Sequence, residues 1–214
     1  MYRLLIISHV PEFRINSIHI ATIIKELFVK KLHQEKDSEF DSIEVITQRS
    51  RNRVLNELKS LSYFLRDAGN KAYIYYYGHG DQVSDYSGDE VDGKDEMWRT
   101  QGILDDEISS FFTDINSSSR LYLFSDSCSS GSMIDKELAQ SNWVTISSSN
   151  DIQDSLATVD GGVFTLWGLI PAIENINGIT PVSLHNWVRD NIDIPSQTSL
   201  LHYGNEEIIN EEMF

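Results

Sequence analysis

Residues 72–80 read AYIYYYGHG, and residues 121–128 read LYLFSDSC. Each stretch begins with aromatic and branched apolar residues, which is the composition of a buried β-strand, and then turns polar. The first is bounded by Gly78 and followed by His79, and the second is followed by Cys128, the single cysteine of the chain. We therefore expect two buried strands that end at a histidine and at a cysteine.

Apolar runs of strand length alternate with stretches of helical periodicity along the rest of the chain. Strands are predicted at residues 2–7, 43–47, 72–77, 121–124, 143–148 and 199–203. Helices are predicted at residues 17–32, 52–65, 103–112, 161–173 and 182–192. This alternation is typical of an α/β fold with a mostly parallel central sheet flanked by helices on both faces. Sites in such sheets lie at the carboxyl ends of the strands.

Length and charge limit the classes of function. The chain has 214 residues and a formal net charge of −16, with 40% apolar and 23% charged residues, which suits one globular domain. An acidic surface repels phosphate backbones, so nucleic-acid binding is not expected and cationic partners are favoured. No apolar run reaches the roughly 18 residues of a membrane span. One cysteine allows no intrachain disulfide and favours a reducing compartment, so we expect a cytoplasmic protein.

His79 and Cys128 have the chemistry of a catalytic pair. If their strands are neighbours, both side chains emerge at one sheet edge, where the imidazole could take the thiol proton and later protonate a leaving amine. Glycines flank the histidine, and Gly80 could turn its N–H toward a developing oxyanion, with the N–H of Cys128 as the second donor. The alternative is a buried structural cysteine and an ordinary loop histidine.

The motifs around this pair resemble those of the metacaspases, which are caspase-like cysteine peptidases. The likeness lies in YYYGHGDQVSDYSGDEVDGKDE (75–96), ILDDEI (103–108) and LYLFSDSCSSGSMID (121–135). It continues in ISSSNDIQDS (146–155), GGVFTLWGLIPAI (161–173) and SQTSLL (196–201). Two positions depart from the family pattern, because Tyr77 replaces a serine and Ser129 replaces a histidine. The family's motif near the N-terminus is absent, and INSIHIAT stands at 15–22.

The resemblance implies a single caspase-like peptidase domain over residues 1–214. Residues 1–135 would correspond to the large-subunit part, which holds His79 and Cys128, and residues 141–214 to the small-subunit part. It also implies a monomeric endopeptidase that cleaves peptides and proteins after Arg or Lys. Asp126, two residues before Cys128 and so on the same strand face, would hold the basic side chain. Tyr77 is assigned to the same substrate pocket.

The segment from Asp81 to Glu107 contains ten carboxylates and only two basic residues, Lys94 and Arg99. Calcium prefers such oxygen ligands. The resemblance implies calcium as an activator, with Asp95, Asp105, Asp106 and Asp135 as ligands. The alternatives are a solvated acidic loop and, for Asp105 and Asp106, helix capping.

Two rival functions remain open. A catalytically silent caspase-fold protein could act in interaction or regulation, and the absent N-terminal motif together with Tyr77 keeps that interpretation open. A plain calcium-binding protein is the third possibility.

Overall fold

The computed structural model describes residues 1–85, 88, 93–134 and 142–214. The strands are β1 Tyr2–His9, β2 Ser42–Ile46, β3 Lys71–Gly78, β4 Gly80–Ser84, β5 Lys94–Trp98, β6 Ile103–Leu104, β7 Arg120–Asp126, β8 Trp143–Ser147, β9 Ala157–Thr158, β10 Gly161–Gly162 and β11 Leu200–Tyr203. The α-helices are α1 Arg14–Lys36, α2 Arg51–Phe64, α3 Asp105–Phe111, α4 Ile170–Asn175 and α5 Pro181–Asn191. A π-helix spans Phe164–Leu169, and 3₁₀ turns span Pro11–Phe13 and Glu206–Asn210.

A six-stranded sheet forms the centre of the fold, in the order β11-β8-β7-β3-β1-β2. All neighbouring pairs are parallel except β11 with β8. The two motif-bearing strands, β3 and β7, lie side by side, with Tyr77 opposite Asp126. Because parallel strands end at the same edge, the residues after β3 and β7 meet there.

Both faces of the sheet are buried, which explains the uninterrupted apolar runs of its inner strands β1, β3 and β7. One face contributes Leu4, Ile6, Tyr73, Tyr75, Tyr122 and Phe124 to a core with α1, α4 and α5. The opposite face contributes Leu5, Ile7, Ile74, Tyr76, Leu121 and Leu123 to a core with α2 and α3. The predicted α/β class, with helices on both faces of a mostly parallel sheet, is confirmed.

In the described part of the acidic segment that follows His79, three strands form a small antiparallel sheet. Its order is β4-β5-β6, and Gly80 of β4 pairs with Trp98 of β5. The helix predicted at 103–112 is preceded by β6, because Ile103 and Leu104 pair with β5. The segment predicted as a helix at 161–173 begins with strand β10, which pairs with β9, and continues as the π-helix and then α4.

Strands β8 and β11 come from residues 141–214 and extend the sheet built by residues 1–135. The proposed division into two parts stays a prediction, because the strands themselves mark no boundary. Among the helices of the described residues, none is both long and apolar enough to cross a membrane.

Candidate active site

The edge of the sheet where β3 and β7 end carries a cavity of about 110 Å³. Its wall includes His79, Cys128, Asp126 and Tyr77, four of the residues selected from the sequence. The remaining lining is mainly apolar and comes from Val10, Phe13, Leu156 and Ala157. The structure therefore brings the predicted catalytic pair and both predicted substrate-pocket residues to one cavity.

Gly80 lies directly against the backbone of Cys128. A Cβ atom added at Gly80 would sit 1.8 Å from the Cys128 carbonyl oxygen and 3.1 Å from its amide nitrogen. No side chain fits in that space, so only glycine allows the His79 loop to approach the cysteine this closely. The two backbone segments that carry the amides selected as oxyanion donors are thus adjacent.

The His79 backbone is held in place by two donors on its carbonyl oxygen. The amide of Arg99 donates at 3.0 Å and the hydroxyl of Tyr76 donates at 2.8 Å. Tyr76 is itself fixed by stacking on Trp98, with ring centroids 4.4 Å apart. This clamp anchors the histidine between β3 and β4, although its side chain remains 45% exposed.

The imidazole of His79 contacts a residue that sequence analysis missed. Its Nε2 lies 2.9 Å from Oε2 of Glu12, which follows β1 in the turn Pro11–Phe13. The hydrogen bond from His79 is the main cause that lowers the pKa of the Glu12 carboxyl below its usual value. Glu12 is 67 residues away in sequence and has no motif around it, so only the adjacency of β1 and β3 reveals it.

The Cys128 thiol is half-buried beside Ser155. Its Sγ accepts a hydrogen bond from the Ser155 amide at 3.3 Å. Burial raises the pKa of the Cys128 thiol, and the charge of Asp154 adds to that rise, whereas the hydrogen bond to Ser155 opposes it. A cation near Sγ would oppose this rise, and the imidazolium form of His79, which lines the same cavity, is the candidate.

The backbone around Cys128 is tightly constrained. Ser129, the next residue, has a left-handed conformation with φ of 45°, which is rare for a side chain of this type. Its amide donates to the Gln153 carbonyl at 2.9 Å. On the other side, the Ser127 carbonyl accepts hydrogen bonds from the hydroxyls of Ser148 and Ser149, both at 3.0 Å. The turn that presents the thiol is thus fixed by contacts with the loop that follows β8.

Asp126 is 2% exposed at the base of the cavity. Its Oδ1 accepts from the Ser155 hydroxyl at 2.9 Å, and its Oδ2 accepts from the Thr165 amide and hydroxyl at 3.0 and 2.6 Å. Burial raises the pKa of the Asp126 carboxyl, and these hydrogen bonds offset part of the rise. Beside it, burial and then the charge of Asp126 raise the pKa of Tyr77 to about 12. Tyr77 therefore stays a neutral phenol.

Two of the acidic residues proposed as calcium ligands lie buried at the junction of β5 and α3. Asp95 is 2% exposed and Asp105 is 1% exposed. Asp105 accepts from the Glu96 amide at 3.2 Å through Oδ2 and from the Asp106 amide at 2.8 Å through Oδ1. Asp135 lies outside the described residues. Within residues 1–85, 88, 93–134 and 142–214, no three His, Cys, Asp or Glu side chains form a group that could hold a metal ion.

Comparison with known proteins supports the resemblance to the metacaspases. The sequence model of the metacaspase peptidase C14 domain matches residues 16–137. Metacaspase-1 of Arabidopsis thaliana is 31% identical over 128 residues, which cover 55% of this chain and 35% of that protein. Metacaspase-1 of Saccharomyces cerevisiae is 34% identical over 89 residues, which cover 37% of this chain and 21% of that protein. The match thus spans about a fifth to a third of these relatives.

A solved structure confirms the fold over the whole length. A protein of Geobacter sulfurreducens, known from its crystal structure, aligns with a TM-score of 0.71, covering 99% of this chain and 97% of that one. The two sequences are 20% identical. At that identity the likeness shows a shared fold.

Proposed function

Because the chain belongs to the metacaspase peptidase C14 family, we propose that it is a cysteine endopeptidase with Cys128 as nucleophile and His79 as general base and acid. The observation that carries this proposal is their shared cavity, with Gly80 in contact with the Cys128 backbone. A nucleophile and its base at one strand-end cavity, with two amide donors on adjacent backbone segments, are the parts that acyl transfer requires.

The proposed reaction moves one proton back and forth. His79 takes the Cys128 proton, and the thiolate attacks the peptide carbonyl carbon to form an S–C bond. The C–N bond then breaks, and the amine leaves with the proton from His79. Water attacks the thioester and gives a proton to His79, the S–C bond breaks, and the thiolate recovers a proton from the imidazole. The amides of Gly80 and Cys128 would stabilise the oxyanion at both stages.

We propose that the substrate residue before the scissile bond is Arg or Lys, held by Asp126. Support comes from the carboxylate at the base of the Cys128 cavity, in a chain of net charge −16. The Ser155 and Thr165 hydrogen bonds fix its orientation, so a cationic side chain would meet a prepared acceptor. Neutralisation by that cation would also relieve the cost of a buried charge.

Calcium activation is proposed with Asp95, Asp105, Asp106 and Asp135 as ligands. Carboxylate oxygens are the donors that calcium prefers, and two of these carboxylates are already buried at one corner. The described part of the chain supplies no complete ligand group. The proposal therefore requires Asp135 to join the corner formed by β5 and α3. Calcium would supply positive charge and order there, outside the bond-making steps.

A catalytically silent caspase-fold protein is the second candidate. The observation that favours it is the half-buried position of the thiol, because burial raises its pKa and so opposes thiolate formation at neutral pH. The two candidates differ in whether Cys128 attacks an activated peptide.

A peptidyl-Arg inhibitor with a thiol-reactive group separates them. Intact mass should show one adduct on the wild-type protein and none on Cys128→Ala. His79→Ala should be modified much more slowly, because it lacks the base. Modification of His79→Ala at the wild-type rate would show that the cysteine reacts as an ordinary thiol and would favour the silent protein.

A further inference from the structure

Glu12 is held beside His79 by local backbone structure. Strand β1 ends at His9, and the turn Pro11–Phe13 then carries the glutamate toward the end of β3. Proline at the first position of this turn fixes its backbone. Oε2 of Glu12 lies 2.9 Å from Nε2 of His79, although both side chains are largely exposed, at 63% and 45%.

This contact decides which imidazole nitrogen is available for chemistry. An ionised carboxylate can only accept a hydrogen bond, so Nε2 must carry the hydrogen. A neutral imidazole then keeps its lone pair on Nδ1. His79 also lines the cavity of Cys128, so Nδ1 is the nitrogen left to take the thiol proton.

The charged groups around the pair favour an ionised Glu12. Arg49 and Arg99 line a cavity of about 340 Å³ together with Glu12 and His79. The hydrogen bond from His79 is the largest cause of the lowered Glu12 pKa, and the positive charge of Arg99 lowers that pKa further. The guanidinium Nη1 of Arg99 lies 3.4 Å from the carboxylate Oδ2 of Asp81 on β4. On the other side, His79 shares the lining of the 110 Å³ cavity with Cys128 and Asp126.

We propose that Glu12 is a positioning residue for His79, which fixes the imidazole tautomer and stabilises the imidazolium that forms when Cys128 loses its proton. This inference rests on the proposed function and adds a third member to the pair. The thiol is half-buried and resists ionisation, so the imidazolium–thiolate state depends on stabilising charge. Glu12 provides that charge without touching the substrate, in the way that a base is oriented by a third group.

The test compares Glu12→Ala and Glu12→Gln with a control, Glu174→Ala. The control also removes an exposed carboxylate, but from α4, where the structure describes no contact of Glu174 with the site. Each protein is assayed with an Arg-terminated fluorogenic peptide to separate kcat from KM. Each is also alkylated with iodoacetamide across pH 5–10, followed by the mass of the Cys128 adduct. Thermal melting checks that the variants fold.

Glu12→Ala should lower kcat about tenfold with KM unchanged, which is less than the roughly 10⁴-fold of a buried orienting carboxylate because this pair is exposed. The midpoint of alkylation should move to higher pH, and Glu12→Gln should fall between Glu12→Ala and the wild type. Values for Glu12→Ala equal to those of Glu174→Ala would overturn the proposal. If the wild-type protein cleaves no Arg peptide, the proposed function fails, and the alkylation profiles still decide whether Glu12 acts on Cys128.

Discussion

Replacement of Gly80 by alanine should separate the two halves of the site. The added Cβ would lie 1.8 Å from the Cys128 carbonyl oxygen and 2.8 Å from its carbonyl carbon, whereas real Cβ contacts essentially never fall under 3.0 Å. Both atoms are backbone, so no side-chain rotation relieves the clash, and the segments must move apart by about 1.2 Å. A displacement of about 1 Å can cost ~10²-fold in rate. Overpacking costs roughly 1–3 kcal/mol, or about 2–12 °C in melting temperature for a chain of this size.

The assay measures hydrolysis of an Arg-terminated peptide together with thermal melting for Gly80→Ala and for a matched control, Gly168→Ala. The control adds the same methyl group, but its nearest neighbours are side-chain atoms of Ile192 and Val188, each at 3.0 Å, rather than backbone atoms. We expect kcat/KM of Gly80→Ala to fall about 100-fold, while Gly168→Ala keeps its activity. Full activity and an unchanged melting temperature for Gly80→Ala would refute the contact between the His79 loop and the Cys128 backbone.

Two further predictions concern charge. Asp126→Asn should weaken cleavage after Arg by about 2 kcal/mol, or roughly 30-fold, because the cationic side chain loses its carboxylate. Burial in the folded state raises the Asp126 pKa, so the stability that Asp126 contributes is present in acid and lost as pH rises through that pKa. The melting temperature of Asp126→Asn should therefore rise relative to that of the wild type between pH 4 and 8. A difference in melting temperature that stays constant over this range would argue against a buried charge at Asp126. Calcium should raise the melting temperature by mass action and magnesium should do so less. Asp106→Asn should reduce the calcium shift, whereas Asp37→Asn, whose side chain is 95% exposed, should keep it; an identical calcium shift in both variants would contradict the ligand assignment.

The central sheet was predictable because its signal is local. Strands β3 and β7 contain the uninterrupted apolar runs 72–77 and 121–124, which follow from burial on both faces. The meeting of His79 and Cys128 needed one more fact, the adjacency of those strands, which the structure provides. Asp126 was assigned from the resemblance to the metacaspases, and it is the last residue of β7, two positions before Cys128.

Other features depend on contacts that leave no local pattern. Ile103 and Leu104 directly precede α3 and were included in the predicted helix, yet they form β6 by pairing with Trp98 and Met97 of β5. Strands β4 and β5 contain acidic and amide side chains that bond to each other, such as Gln82 Nε2 with Glu96 Oε1 at 2.8 Å, so their sequences lack the apolar run of a buried strand. Glu12 touches His79 only through the fold. No motif in the sequence indicates that contact.

Initial rates of hydrolysis on fluorogenic peptides that end in Arg, Lys or Asp test the proposed cysteine peptidase activity and its specificity together. Wild-type protein and Cys128→Ala should be measured side by side, each with calcium and with excess chelator. We expect cleavage after Arg and Lys, negligible cleavage after Asp, stimulation by calcium and no activity in Cys128→Ala. Equal rates on the Asp peptide, or activity that survives in Cys128→Ala, would contradict this expectation.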